Sequence, residues 1–294
     1  MPTLVELISA TDSITFAPTP DVAGGWVYNN VTLDEWYRLA SADPKLSKRP
    51  NAHGSYNLGQ IFTKEHRPVV NGQYYGQSVA DALAQRQRLN ALFSDGQAVT
   101  MRVTDELGAT TRRVWLLEAS TTFQQGFTHF PFDLALVAPD PRRYGATVSD
   151  SEGMPAAGSG LVWNLGTAGS GLYFDWGTAG VEGIVQFTNT GSAATLPRIE
   201  VGGAGSFDAA GFRVTEIETG RELTFVRATN YGEVIVFDSR TQRATLAAGD
   251  VTAFLLSRDW FTIPAGATRR YQINPLGSVT GSPTITIYAA PASM

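Results

Sequence analysis

From Gly183 onward, glycine and proline interrupt the chain at short, regular intervals, and this constrains the fold more than any other feature. Between turns at Gly191, Gly202, Gly203, Gly220, Gly232, Gly249, 264–266 and 281–283 the apolar, β-type runs are four to seven residues long. A helix needs roughly 10–12 residues to declare its period. These segments, rich in Val, Ile, Phe, Thr and Tyr, predict strands at 184–189, 198–201, 212–218, 222–227, 234–238, 243–246, 260–263, 268–273 and 284–288. Even spacing with no helical stripe predicts a β-sandwich over 183–294.

Residues 1–150 read as a second β-rich unit with one helix. Strands are expected at 5–8 and 14–16, with a turn at Gly24 and Gly25. Thr32-Leu-Asp-Glu35 fits a capping box and equally a strand. Strands at 60–62 and 69–70 flank 64–68, and Asn71-Gly72 has the composition of a tight turn. Ser78, with Asp81 three residues on, is an N-cap signature for a helix over 78–93. Its apolar face would be Val79, Leu83, Leu89, Leu92 and Phe93. A hairpin follows, 99–103 and 113–117 around a turn at 105–108. Phe127, Phe130 and Phe132 lead into a strand at 133–137, which must end before Pro139 and Pro141.

Residues 146–157 are small and polar, a linker by composition. Then GSGLVWNLGTAG (158–169) recurs as GSGLYFDWGTAG (169–180). Each copy is a short extended segment and a glycine turn. Residues 151–182 therefore read as linker plus hairpin, with Trp163 and Phe174 at equivalent positions. A phosphate loop would end in Gly-Lys-Ser/Thr, and the repeat has no lysine. A dinucleotide fingerprint needs a helix after its glycines, where an aromatic strand pattern stands.

Composition removes several function classes. With no cysteine, disulfides, thiolate metal sites and cysteine nucleophiles are excluded. The net charge of −5 makes nucleic acid an unsuited partner, because phosphate binding needs a basic footprint. The densest basic run, Lys45, Lys48 and Arg49, lies between Pro44 and Pro50 and reads as a solvated loop. No run approaches the ~18 apolar residues of a membrane helix, and the first residues lack the basic and apolar regions of a secretion signal. Folding in a cytoplasm without membrane insertion is expected.

Candidate chemistry is sparse. His53, His66 and His129 share no metal-ligand spacing. No Gly-x-Ser-x-Gly elbow gives Ser13, Ser55 or Ser120 a nucleophile context. Asp34/Glu35 and Asp105/Glu106 are adjacent pairs that a strand would point to opposite faces. Glu216 and Glu218 would share a face and read as exposed sheet surface. Asp140 is expected to hydrogen-bond its turn. No catalytic, cofactor-binding or metal residue is assigned, and the chain is read as no enzyme.

Phe130-Pro-Phe-Asp-Leu-Ala-Leu-Val-Ala-Pro-Asp-Pro-Arg-Arg-Tyr-Gly145 resembles the strand that ends the N-terminal domain in the distal tail protein family of long-tailed siphophages. Arg67-Pro-Val-Val-Asn-Gly72 is similar to another strand of that domain. Asn189-Thr-Gly-Ser-Ala-Ala-Thr-Leu-Pro-Arg-Ile-Glu-Val-Gly-Gly203, Thr219-Gly-Arg-Glu-Leu223, Glu233-Val-Ile-Val-Phe-Asp238 and Ile263-Pro-Ala-Gly266 resemble the course of its galectin-like sandwich. The resemblance spans nearly the whole chain in order.

It implies a mainly β protein: a β-sandwich-like N-terminal domain with one helix (1–150), a hairpin connection (151–182) and a galectin-like or jelly-roll C-terminal sandwich (183–294). It further implies a structural baseplate component without cofactors. Six copies would form a ring joining the tail tube to the tail-tip hub and fibres, in the virion after assembly in the host cytoplasm. Ring contacts are expected from 1–150, including Tyr74, Tyr75, Arg86 and Arg88, since aromatics and arginines anchor interfaces. The alternative is a carbohydrate-binding, receptor-binding sandwich using Arg227, Tyr231 and Trp260.

Overall fold

A computed structural model describes residues 3–19, 24–29, 34–38, 41, 63–155, 162–164, 173–175 and 183–294. The chain divides into two compact units, Met1–Ala146 with Ser293–Met294, and Thr147–Ala292. The expectations for Thr32, 60–62, the Lys45–Lys48–Arg49 run, His53 and Ser55 fall outside the described residues.

In the first unit, seven strands alternate buried and exposed residues: β1 (Leu4–Ile8), β2 (Ser13–Ala17), β3 (Gly25–Tyr28), β4 (Val69–Tyr75), β5 (Val99–Asp105), β6 (Gly108–Thr121) and β7 (His129–Val137). They pair in the order β6-β5-β1-β2-β3-β4-β7, and β7 pairs back onto β6. The sheet is a closed barrel, which corrects the expected β-sandwich-like domain. The reason lies in β6. Its first half pairs with β5, as far as Val99↔Val114, and its second half with β7, from Trp115↔Val137. A register shift between Leu116 and Glu118 marks a bulge. A bulge bends a strand and increases its twist, so one long strand serves both neighbours and closes the seven strands into a barrel.

Inward residues Leu7, Ile14, Phe16, Trp26, Val70, Phe130, Phe132 and Leu134 form the core. Trp26 meets Phe130 and Phe132 edge-on, with centroids 5.6 and 5.3 Å away. The one-turn helix α1 (Asp34–Tyr37) adds Trp36, fully buried. Helix α2 (Val79–Leu92) starts as expected, with Ser78 Oγ accepting from the Asp81 amide at 3.1 Å. It buries Ala82, Leu89 and Leu92. Leu83, expected on that face, is exposed, because it sits about 100° round the helix from Ala82.

Asn71-Gly72 is not a turn. Both residues lie inside β4, where Gly72 pairs with Tyr28 on one side and Phe132 on the other. A Cβ at Gly72 would stand 1.9 Å from the Val27 carbonyl oxygen. Glycine is there for close strand approach, not for turning.

The two-residue strand β8 (Arg143–Tyr144) adds to β6 at Thr111. In the second unit, β9 (Val148–Gly153) is followed by a short hairpin, β10 (Val162–Asn164) and β11 (Tyr173–Asp175). The hairpin is the repeat, with Trp163 and Phe174 as register partners. Then come β12 (Ile184–Thr188), β13 (Arg198–Gly202), β14 (Gly205–Phe207), β15 (Phe212–Glu216), β16 (Glu222–Phe225), β17 (Val234–Asp238), β18 (Arg243–Leu246), β19 (Gly249–Asp250), β20 (Leu255–Arg258), β21 (Thr268–Pro275), β22 (Val279–Gly281) and β23 (Thr284–Ala289). One sheet runs β12-β21-β15-β16-β20 and another β19-β18-β17-β13-β23-β9. Phe187, Val214, Phe225 and Ile273 of the first share one apolar core with Ile199, Val201, Phe237 and Ile285 of the second.

Two expectations change here. Residues 148–153, expected as linker, form β9, which pairs with β23 from Val148↔Ala289 to Gly153↔Thr284. The Asp150 carboxylate also accepts from the Gln186 amide at 2.7 Å. No strand forms at 260–263: the strand lies upstream as β20, Leu255–Arg258, and Ile263 makes an isolated bridge with Thr195.

Candidate interface

On the barrel's outer face, β3, β4, β7 and the end of β6 carry a groove of about 540 Å³. Registers place Val27 beside Gln73 and Gln73 beside Pro131, and in the next row Asn71 beside Asp133 and Asp133 beside Ser120. Strand alternation turns these outward while Tyr28 and Phe132 face the core. Asp133 is exposed, and among the described residues no hydrogen bond or ion pair engages its carboxylate. In the sequence Asp133 is only the first residue of the expected strand at 133–137; the cross-strand registers that put it in a groove are long-range.

Of the four expected ring residues, Tyr75 borders this groove. It is 38% exposed, its hydroxyl donates to Gln73 Oε1 at 2.5 Å, and its ring stacks on His129 at 6.2 Å. Tyr74 is buried against Trp26, 4.8 Å between centroids, and donates to Asp81 at 2.8 Å. Burial, then that carboxylate, push its hydroxyl up to about 12. Tyr74 is thus withdrawn from the interface candidates. Being even-numbered on β4, like Val70, it points inward. Arg86 Nε donates to Thr121 Oγ1 at 3.0 Å. Arg88 grips both oxygens of Asp12 at 2.6 Å and the Ser13 carbonyl at 2.7 Å, so its guanidinium ties α2 to the β1–β2 turn.

That pair yields a pH prediction. The Arg88 hydrogen bond holds the Asp12 carboxyl down at about 2, against an ordinary value of about 3.9. A depressed carboxyl contributes stability fully above about pH 4 and loses it as pH falls towards 2. Both side chains are more than a third exposed, so the contribution is below about 1 kcal/mol. An NMR titration should find the Asp12 midpoint near 2, and Arg88→Ala should return it to about 4. A midpoint near 4 in the unaltered chain contradicts this.

A second cluster was not legible in the sequence. Arg112 is almost fully buried, with its guanidinium 4.6 Å over the Trp36 ring. It donates to the carbonyls of Trp36 at 2.9 Å and Pro141 at 3.1 Å. Burial, and then Arg143, lower it to about 9, so it stays charged at neutral pH. Tyr37 donates to Asp105 at 2.6 Å, and Arg143 lies 5.1 Å over its ring and donates to the Met294 carbonyl at 2.6 Å. This cluster pins α1 to the barrel. Asp140 binds its turn as expected, accepting from the Arg142 amide and Tyr144 hydroxyl at 3.1 and 2.7 Å.

In the second unit the three sugar candidates have different surroundings. Tyr231 is 73% exposed. Arg227 lies 5.1 Å over Phe254, and Trp260 packs against the core. Among the described residues no hydrogen bond or ring contact links the three. Glu216 is not on an exposed face either. It is buried beside Tyr271, ion-paired with Arg269 at 3.1 Å, and takes a hydrogen bond from Thr219. The inward alternation Phe212, Val214, Glu216 carries it into the end of the core.

Among the described residues no group of three or more His, Asp or Glu is placed to hold a metal ion. No helix among them is long and apolar enough to cross a membrane.

No family model and no curated protein matches the chain. Solved structures do. The Dit protein of phage SPP1 (gp 19.1), described as a paradigm of the hub adsorption apparatus in phages that infect Gram-positive bacteria, matches with a TM-score of 0.54 at 16% identity, over 86% of this chain and 89% of that one. A chain of the phage P2 baseplate, in its activated conformation with Ca, gives 0.54 at 11% identity over 97% of both. The P2 baseplate with Sr gives 0.51 at 11%. Across both of its units, this chain has the fold of phage Dit-like hub and baseplate proteins.

Proposed function

We propose that the chain is the distal tail component of a siphophage, a structural protein and no enzyme. Six copies form a ring at the tail tip that joins the tail tube to the hub and fibres. The protein assembles in the host cytoplasm and resides in the virion. The observation that carries this reading is the likeness to the SPP1 hub protein over 86% of this chain and 89% of that one, which takes in both units rather than one shared module. The barrel unit makes the ring. The second unit, read as a galectin-like sandwich, is the outward platform.

Sedimentation of residues 1–146 and 147–292 tests this division of roles. The first fragment should self-associate and the second stay monomeric. The reverse outcome exchanges the two roles, and two monomeric fragments would remove the barrel as the ring-forming part.

A further inference from the structure

Exposed charges of the barrel unit are mostly matched inside it. Arg67 pairs with Glu65, Arg88 with Asp12, Arg102 with Glu6 and Arg142 with Asp140. Among the described residues three exposed groups depart from this pattern: Arg113, Glu118 and Asp133. Among the described residues Arg113 has no carboxylate partner, and its guanidinium lies 5.5 Å over the Trp115 ring. Asp133, in the groove, has no cation.

Arg113 and Asp133 cannot meet within one copy. Asp133 stands opposite Ser120, and Arg113 lies seven residues before Ser120 on the same strand. Seven strand residues span roughly 23 Å, against the ~4 Å of an ion pair. Beside Arg113, the bulge in β6 leaves Leu117 56% exposed, two residues from Trp115. The result is a projecting surface of one cation and two apolar side chains, bordered by the exposed carboxylate of Glu118. The groove offers the matching chemistry: a free carboxylate, the exposed ring of Tyr75, and Pro131.

We propose that Arg113, Trp115 and Leu117 of one copy seat in the groove of the next copy, with the guanidinium on the Asp133 carboxylate. This rests on the ring reading above and names its contact. Projection and groove are different patches, so the contact is heterologous, the type that closes into rings. Trp, Tyr and Arg are also the residues that dominate interface energetics.

The test uses the full chain with Arg113→Asp and Asp133→Arg made separately. Both positions are exposed, so melting should stay at the unaltered value. Each variant alone places like charges in every contact and should need at least about tenfold more protein to assemble. Mixed in equal amounts, the two variants should assemble again at the unaltered mass. Copies then alternate, and every contact joins opposite charges, a pattern that closes only in an even-numbered ring. If both variants assemble like the unaltered chain, or if mixing restores nothing, the contact is overturned while the ring stands. If the unaltered chain itself is monomeric at every concentration, alone and with tail partners, the ring reading falls and takes the contact with it.

Discussion

Gly72→Ala is expected to destabilise the barrel unit by about 3 kcal/mol or more, beyond the usual cost of one added methyl group. The new Cβ would lie 1.9 Å from the Val27 carbonyl oxygen and 2.8 Å from Tyr28 Cα. These are backbone atoms and cannot swing aside. Relief requires β3 and β4 to separate, at a point where β4 is also laced to β7. Because the barrel is closed, a gap there is not absorbed at an edge. Domains are stable by only about 5–15 kcal/mol, so the barrel transition in calorimetry should fall by about 10 °C. A transition unchanged within experimental error would contradict the strand packing described for Gly72.

Arg269→Ala should cost the second unit about 3 kcal/mol, the scale for stranding one member of a buried ion pair. Glu216 is 1% exposed and Arg269 20%. With Arg269 gone, the carboxylate keeps only the Thr219 hydroxyl. Beside it the Tyr271 hydroxyl is buried too, and burial, with Glu216 adding, raises its pKa well above the ordinary tyrosine value. The double variant Glu216→Leu with Arg269→Met replaces both charges by apolar groups of similar size and should cost less than the single one. Urea unfolding of the two variants decides. A single variant no more costly than the double would mean that the pair is not the compensated charge described here.

What was legible in the sequence follows from how local each signal is. Ser78 with Asp81 marks a helix start through one hydrogen bond three residues apart, and the structure makes that bond. The hairpin of β5 and β6 was readable because its turn residues and alternation lie within one short stretch. The strands of the second unit were readable because alternation with glycine turns leaves little else. Barrel closure was not, since it depends on β6 reaching β7 through a bulge that no local pattern announces. Asn71-Gly72 misled because the same dipeptide serves a turn and a close strand approach. Val148–Gly153 read as linker because an edge strand can hold its place by backbone pairing, with polar side chains throughout. The candidate interface was partly visible: Tyr75 was named, but Asp133 and Arg113 are unpaired only by virtue of the three-dimensional pairing of the other charges.

The central claim is that this fold serves a ring. Light scattering and electron microscopy of the purified full chain test it together. Six copies of a 31.6 kDa chain give about 190 kDa, six times the monomer, and end-on images should show a closed six-fold ring. A chain that stays at 31.6 kDa at every concentration, with or without its tail partners, would contradict the account.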